Sequence, residues 1–293
     1  VLGLLRWPTA PDEEFSLPLV QASNGGVRLL ARSTAEYLHR ALAEEQAGAA
    51  ATAAAGADAQ SLPIAAALRH GRLALDDERR LPFSWSPADA AAAAAAGASP
   101  ASSARSGGSS RHAPLDVYLT RACGKFPDVC ERLVEGHLRS GDQASALVTS
   151  DWYCTHFRGW AHPRAHGAAL LASLGRKEEA RDAARSALAG APFWSMGAEL
   201  LAPSLATAGL QGRSAAWLRE ALADGGAQTD PALKQQQRLA KTPQAVAMER
   251  CELLMDTVAA GEAPWGAVLP ELRAAFAQAG RPELARFVDH ARE

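Results

Sequence analysis

The stretch "GRKEEARDAARSALAGAP", residues 175 to 192, decides how the rest of the chain is read. Gly175 stands at a sharp turn, where a residue without a Cβ reaches left-handed backbone at little cost. Ala180 and Ala187 then recur at helical spacing on one face. Two helices can pack closely only if the side chains at their crossing are small, and alanine meets that need. Pro192 stops the segment, because proline lacks the N–H that a continuing helix would use. The stretch therefore reads as the second helix of a helical hairpin.

Working outward, Gly141 in "LRSGDQASAL" and Gly209 in "LATAGLQGRS" each stand 34 residues from Gly175. From Leu115 onward apolar residues recur at helical spacing, and Gly or Pro breaks come about every seventeen residues. Pro127, Pro163, Pro243 and Pro282 sit where a first helical turn accepts proline. The spacing predicts a mostly helical domain over 115–293.

A 34-residue helix-turn-helix period, with a turn glycine and small residues where helices cross, resembles the tetratricopeptide repeat family. The resemblance covers roughly residues 125 to 225 and extends more loosely to the C terminus. Ala146 follows Gly141 at the matching offset, but Tyr153 stands where the second small residue belongs, and no closing proline follows. Gly209 is followed by Ser214 and Ala221, and Gly280, 71 residues after Gly209, by Ala285. First helices depart further, with Arg164, Gly167 and Ala168 where the family favours a large residue, a leucine and a small one. What the resemblance implies is a TPR-like α-α superhelix, whose concave surface holds a peptide or another protein and performs no chemistry.

The N-terminal 48 residues form a different module. "FSLPLVQASNGGVRLLARS" has two apolar runs around Asn24-Gly25-Gly26, a hairpin signal. Ser33 and Glu36 have capping-box spacing ahead of "AEYLHRALAEEQA". A small β-hairpin plus helix is expected over 1–48. Residues 49–114 read as low-complexity, alanine-rich inserts around a short helical segment at 61–85, anchored by Phe83 and Trp85.

Composition excludes some function classes. A formal charge of −2 and a pI near 6.5 give no global footprint for nucleic acid or anionic membrane. Four scattered cysteines do not form a secreted disulfide framework, so a reducing compartment is expected. "AAAAAAA" at 90–96 is too short to span a bilayer, and a soluble protein is expected. The chain starts at Val1 without a methionine, as a fragment or processed form would, with any targeting peptide out of view. No nucleophile elbow, zinc-protease motif or phosphate loop is present, so the chain is expected not to be an enzyme and to carry no cofactor.

"SDWYCTHFRGWAHPRAH", residues 150 to 166, concentrates the aromatic and histidine side chains. Counted from Gly141, the positions Ala146, Ser150, Tyr153, Cys154 and Phe157 face neighbouring helices, while Val148, Trp152 and His156 share another face. Gly159 ends the helix and Pro163 opens the next. A zinc site would need Cys154, His156, His162 and His166 to converge, but Cys154 and His156 are two residues apart on one helix and diverge. Exposed Trp and Arg concentrate binding energy at interfaces. Trp152, His156, Arg158, Trp160 and Arg164 are therefore the candidate partner-binding residues, with Trp194 and Trp217 as packing residues.

Two further stretches, "VLGLLRWPTAP…AEYLHRALAEE" and "FPDVCERLVEGHL…SALVTSDWY", resemble a plant and algal plastid protein of this helical type. That resemblance implies a chloroplast, stromal location and an assembly or biogenesis role. The expected function is a non-catalytic scaffold or adaptor that binds a protein or complex. A helical-repeat RNA-binding factor is the alternative and a metal-dependent enzyme the third reading. Nucleic acid is the less expected partner, because "CERLVEGHLRS" and "HPRAHGAALLAS" carry few basic residues.

Overall fold

The computed structural model describes residues 2–5, 17–23, 26–54, 114–222 and 240–290. Within them the chain is mostly helical, with one three-stranded antiparallel sheet. It divides into two units, Val1–Gln21 with Leu29–His156, and Ala22–Arg28 with Phe157–Glu293.

The sheet has the order β1 (Leu2–Leu4), β2 (Leu19–Ser23), β3 (Gly26–Ala31). Strands β2 and β3 are the hairpin expected from the sequence. Strand β1 is an addition: it pairs antiparallel to β2 with Gly3 opposite Val20. Helix α1 (Thr34–Ala54) follows. Its capping box forms, for Ser33 Oγ accepts the Glu36 N–H at 3.2 Å and Glu36 Oε2 accepts the Arg32 N–H at 3.3 Å. The helix runs past residue 48 into the alanine-rich tract, as the high helix propensity of alanine allows. The remainder of that low-complexity region, with the segment expected at 61–85, lies outside the described residues.

In the first unit, α2 (Pro114–Tyr118) runs into a π-helical turn (Leu119–Cys123), and α3 (Pro127–Arg139) packs on α4 (Gln143–His156). Leu119, Cys123, Phe126 and Val129 form a core with Ala31 and Ala43 of the N-terminal module. That module is thus joined to the first helical hairpin by burial. A charge network reinforces the join. Arg40 forms two 2.6 Å hydrogen bonds to Asp128, Arg132 holds Asp128 and Asp116 at 2.7 Å each, and the Arg40 guanidinium lies 5.1 Å from the centre of the Phe126 ring.

The second unit contains α5 (Ala161–Ser173), α6 (Lys177–Gly190), a 3-10 turn (Phe193–Ser195), α7 (Ala198–Ala208), α8 (Ala215–Leu222), α9 (Pro243–Ala259), α10 (Trp265–Gln278) and α11 (Pro282–His290). Ala161, Ala165, Ala168, Ala184, Ala187, Ala208 and Ala215 are buried together, so small side chains do fill the helix crossings. Cys251, Leu254, Val268, Leu272 and Phe276 form a second cluster between α9, α10 and α11.

One device ends the first helix of each tight hairpin. Gly141, Gly175, Gly209, Gly261 and Gly280 all have φ between 69° and 76°. At each, the glycine N–H and the following N–H bond back to the helix end. Gly141 donates to Leu138 O and Asp142 to His137 O, both at 2.9 Å, and Gly280 and Arg281 do the same to Ala277 and Phe276. This satisfies two otherwise unpaired carbonyls per helix and requires a residue tolerant of positive φ. Gly261 was not part of the 34-residue alignment, yet it makes the same turn between α9 and α10.

Candidate partner-binding surface

Helix α4 shows how the sequence sorts its faces. Ala146, Ser150, Tyr153 and Phe157 are buried, and the Tyr153 hydroxyl donates to Glu131 Oε1 at 3.0 Å. Cys154 is only half-buried. On the other face, Val148 is 70% exposed, and Trp152 and His156 are half-buried. The Trp152 and His156 rings lie 4.0 Å apart. His156 Nδ1–H donates to the Trp152 carbonyl at 2.9 Å, which fixes its tautomer, and the Arg32 guanidinium donates to the His156 carbonyl. Lys125 stands over the indole, its Nζ 5.1 Å from the ring centre and donating to Thr120 O at 2.8 Å.

Arg158, Trp160 and Arg164 belong to the second unit. Arg158 is exposed. Trp160 is 1% exposed and packs edge-on against Trp194 with ring centres 5.9 Å apart, so it serves the core there. Arg164 extends across α6, where a Cβ at Gly190 would lie 2.8 Å from its Nη1. Trp194 is half-buried, whereas Trp217 is 40% exposed under the Arg213 guanidinium.

Of the side chains a zinc site would need, Cys154 and His156 lie in the first unit and His162 and His166 in the second. His162 Nδ1–H donates to the Met196 carbonyl at 2.8 Å. Among the described residues no group of three or more His, Cys, Asp or Glu side chains is placed to hold a metal ion. Burial pushes the Cys123 thiol up to about 11, Cys130 to about 12 and Cys251 to about 11, so all three stay protonated near neutral pH. Among the described residues no helix is long and apolar enough to cross a membrane.

Among the described residues, the sequence did not single out one strongly perturbed carboxylate. Asp256 on α9 is wholly buried, accepting the Phe193 N–H and the Arg219 Nε–H at 2.7 Å each. Burial drives its carboxyl up to about 6, against the opposing pull of Arg219. Arg219 also reaches Glu252 at 3.1 Å. Asp128 behaves oppositely. Burial raises it, but hydrogen bonds and charge from Arg40 and then Arg132 prevail, leaving it below the usual carboxylate range. The i,i+4 spacings of Asp128 with Arg132 and Glu252 with Asp256 were readable signals, though neither reveals its distant arginine.

Three family models match successive parts of the chain: PAB N-terminal over residues 1–75, PAB middle domain over 127–211 and PAB C-terminal domain over 215–291. The chain is also 31% identical, over 290 residues, to "Protein IN CHLOROPLAST ATPASE BIOGENESIS, chloroplastic" of Arabidopsis thaliana. The alignment spans 98% of this chain and 74% of that protein. No solved structure matches the chain.

Proposed function

Because this chain belongs to the PAB family, we propose that it is a plastid assembly factor that holds a protein partner during biogenesis of the chloroplast ATPase. The observation that carries the reading is the near full-length likeness to the relative named for that process. The same likeness supports a plastid location, and we place the protein in the stroma. Its action is stoichiometric holding by TPR-like helical hairpins, and it catalyses no reaction. Support for the hairpin surface comes from the recurring glycine turns and the buried alanines at the helix crossings. Stacked helix pairs of this kind offer extended surfaces to peptides and proteins. Of the candidate contacts, Trp152, His156, Arg158 and Arg164 have exposed or half-buried side chains.

The test is disruption of the gene in its native cell, with assembled ATPase measured on native gels beside the other photosynthetic complexes. The expected result is selective loss of assembled ATPase, together with co-isolation of ATPase subunits on the tagged chain. Normal ATPase accumulation, with no ATPase subunit co-isolating, would overturn the proposal.

A further inference from the structure

Along α4, Val148, Trp152 and His156 form a row at four-residue spacing, with Val148 the most exposed. Lys125 comes from outside that helix and is held in place twice, by the Thr120 carbonyl and by the Trp152 ring. Among the described residues it has no carboxylate partner. An ammonium fixed beside an aromatic and an exposed valine, all within one unit, is an organised half of a contact.

We propose that this surface docks an amphipathic helix of a protein partner, one that carries an Asp or Glu about one helical turn from a large apolar side chain. The carboxylate pairs with Lys125, and the apolar side chain covers Val148 and the outer edge of Trp152. Two features select that occupant. The row follows one face of a helix, which suits helix-against-helix recognition. Lys125 offers its charge to an anion, whereas the Arg32 guanidinium at the His156 end of the row is already engaged by the His156 carbonyl. A nucleic-acid backbone gains its affinity by meeting several cations at once, and acidic residues outnumber basic ones among the described residues of this unit. The assignment rests on the reading of the chain as a protein-holding factor and specifies the kind of segment held.

The test places a photo-crosslinking phenylalanine at position 148 of the full chain in its native cell, and sequences the captured segment. The expected capture is a helical segment with Asp or Glu one turn from a large apolar residue. Its yield should fall about tenfold in Lys125→Glu and stay within about twofold in Lys125→Arg, given the worth of a hydrogen bond to a charged group. Replacing the captured carboxylate by lysine should restore the yield with Lys125→Glu. A captured segment without a carboxylate, captured nucleic acid, no capture, or indifference to Lys125→Glu overturns the proposal. If position 148 captures nothing while ATPase subunits still co-isolate, this surface is misassigned and the assembly role stands. If it captures an acidic helix while ATPase accumulates normally without the gene, the assembly role fails and the surface stands.

Discussion

Replacing Asp256 by Asn should change how the second unit responds to pH. The carboxylate is wholly buried, its folded value is raised to about 6, and its ordinary value is 3.8. A carboxyl raised by folding contributes stability that is fully present below the unfolded value and is lost as pH rises through the folded one. The full swing across that window is about 3 kcal/mol, at about 1.4 kcal/mol per unit. Between pH 5 and pH 7 most of the titration occurs near the folded value, and about 1 kcal/mol is lost. Asn keeps an oxygen for the Phe193 N–H but turns an amide toward Arg219, so the variant should be less stable throughout. The informative quantity is the difference between wild type and variant, in which other titrating groups largely cancel. Urea unfolding followed by helical circular dichroism at pH 5, 6 and 7 should show that difference shrinking by about 1 kcal/mol as pH rises. Glu252→Gln should move the midpoint of the change downward, because the Glu252 charge helps to raise Asp256. A difference that grows as pH rises would mean that Arg219 outweighs burial, and one independent of pH would mean that the two cancel; either result refutes the balance described here.

Asp128→Asn in the first unit should show the opposite sign. Its folded value is depressed, so its contribution is present above the ordinary carboxylate range and disappears as pH falls through the folded value. The variant should lose about 1–3 kcal/mol at pH 7, and acid titration should bring it level with wild type. Gly175→Ala meets no atom within 4 Å, so only the strain of φ at 76° acts. Thermal unfolding should report a loss of about 1 kcal/mol. Gly26→Ala should lose more, because its Cβ would lie 2.7 Å from the Trp194 carbonyl oxygen. Trp160→Ala should destabilise by about 3–5 kcal/mol in a chemical melt. Partner loss in that variant would then track unfolding, and it should be absent when the fold is kept by the larger Trp160→Phe.

The hairpins were legible because their turns are imposed locally. A glycine at positive φ and a proline in a first helical turn leave marks in a few residues, whatever the neighbours. The buried row Ala146, Ser150, Tyr153 and Phe157 followed from periodicity alone. Cys154 stands about 70° from the centre of that row and came out half-buried, and Trp217, expected to pack, came out exposed. Strand β1 is three residues long, too short for alternation to show. Arg40 with Asp128, Arg219 with Asp256 and Lys125 with Trp152 depend on tertiary neighbours that no spacing rule supplies. The candidate surface was accordingly half visible, its aromatics on α4 but not the cation that completes it.

The join between Arg40 and Asp128 also orders events in time. It closes a loop of 88 residues, whereas each glycine turn brings together groups only a few positions apart. Closing a loop of that length costs about 4 kcal/mol of chain entropy by its logarithmic dependence alone. The glycine turns are therefore expected to close before the Arg40–Asp128 join, and hydrogen exchange sampled during refolding should protect α3 and α4 ahead of α1.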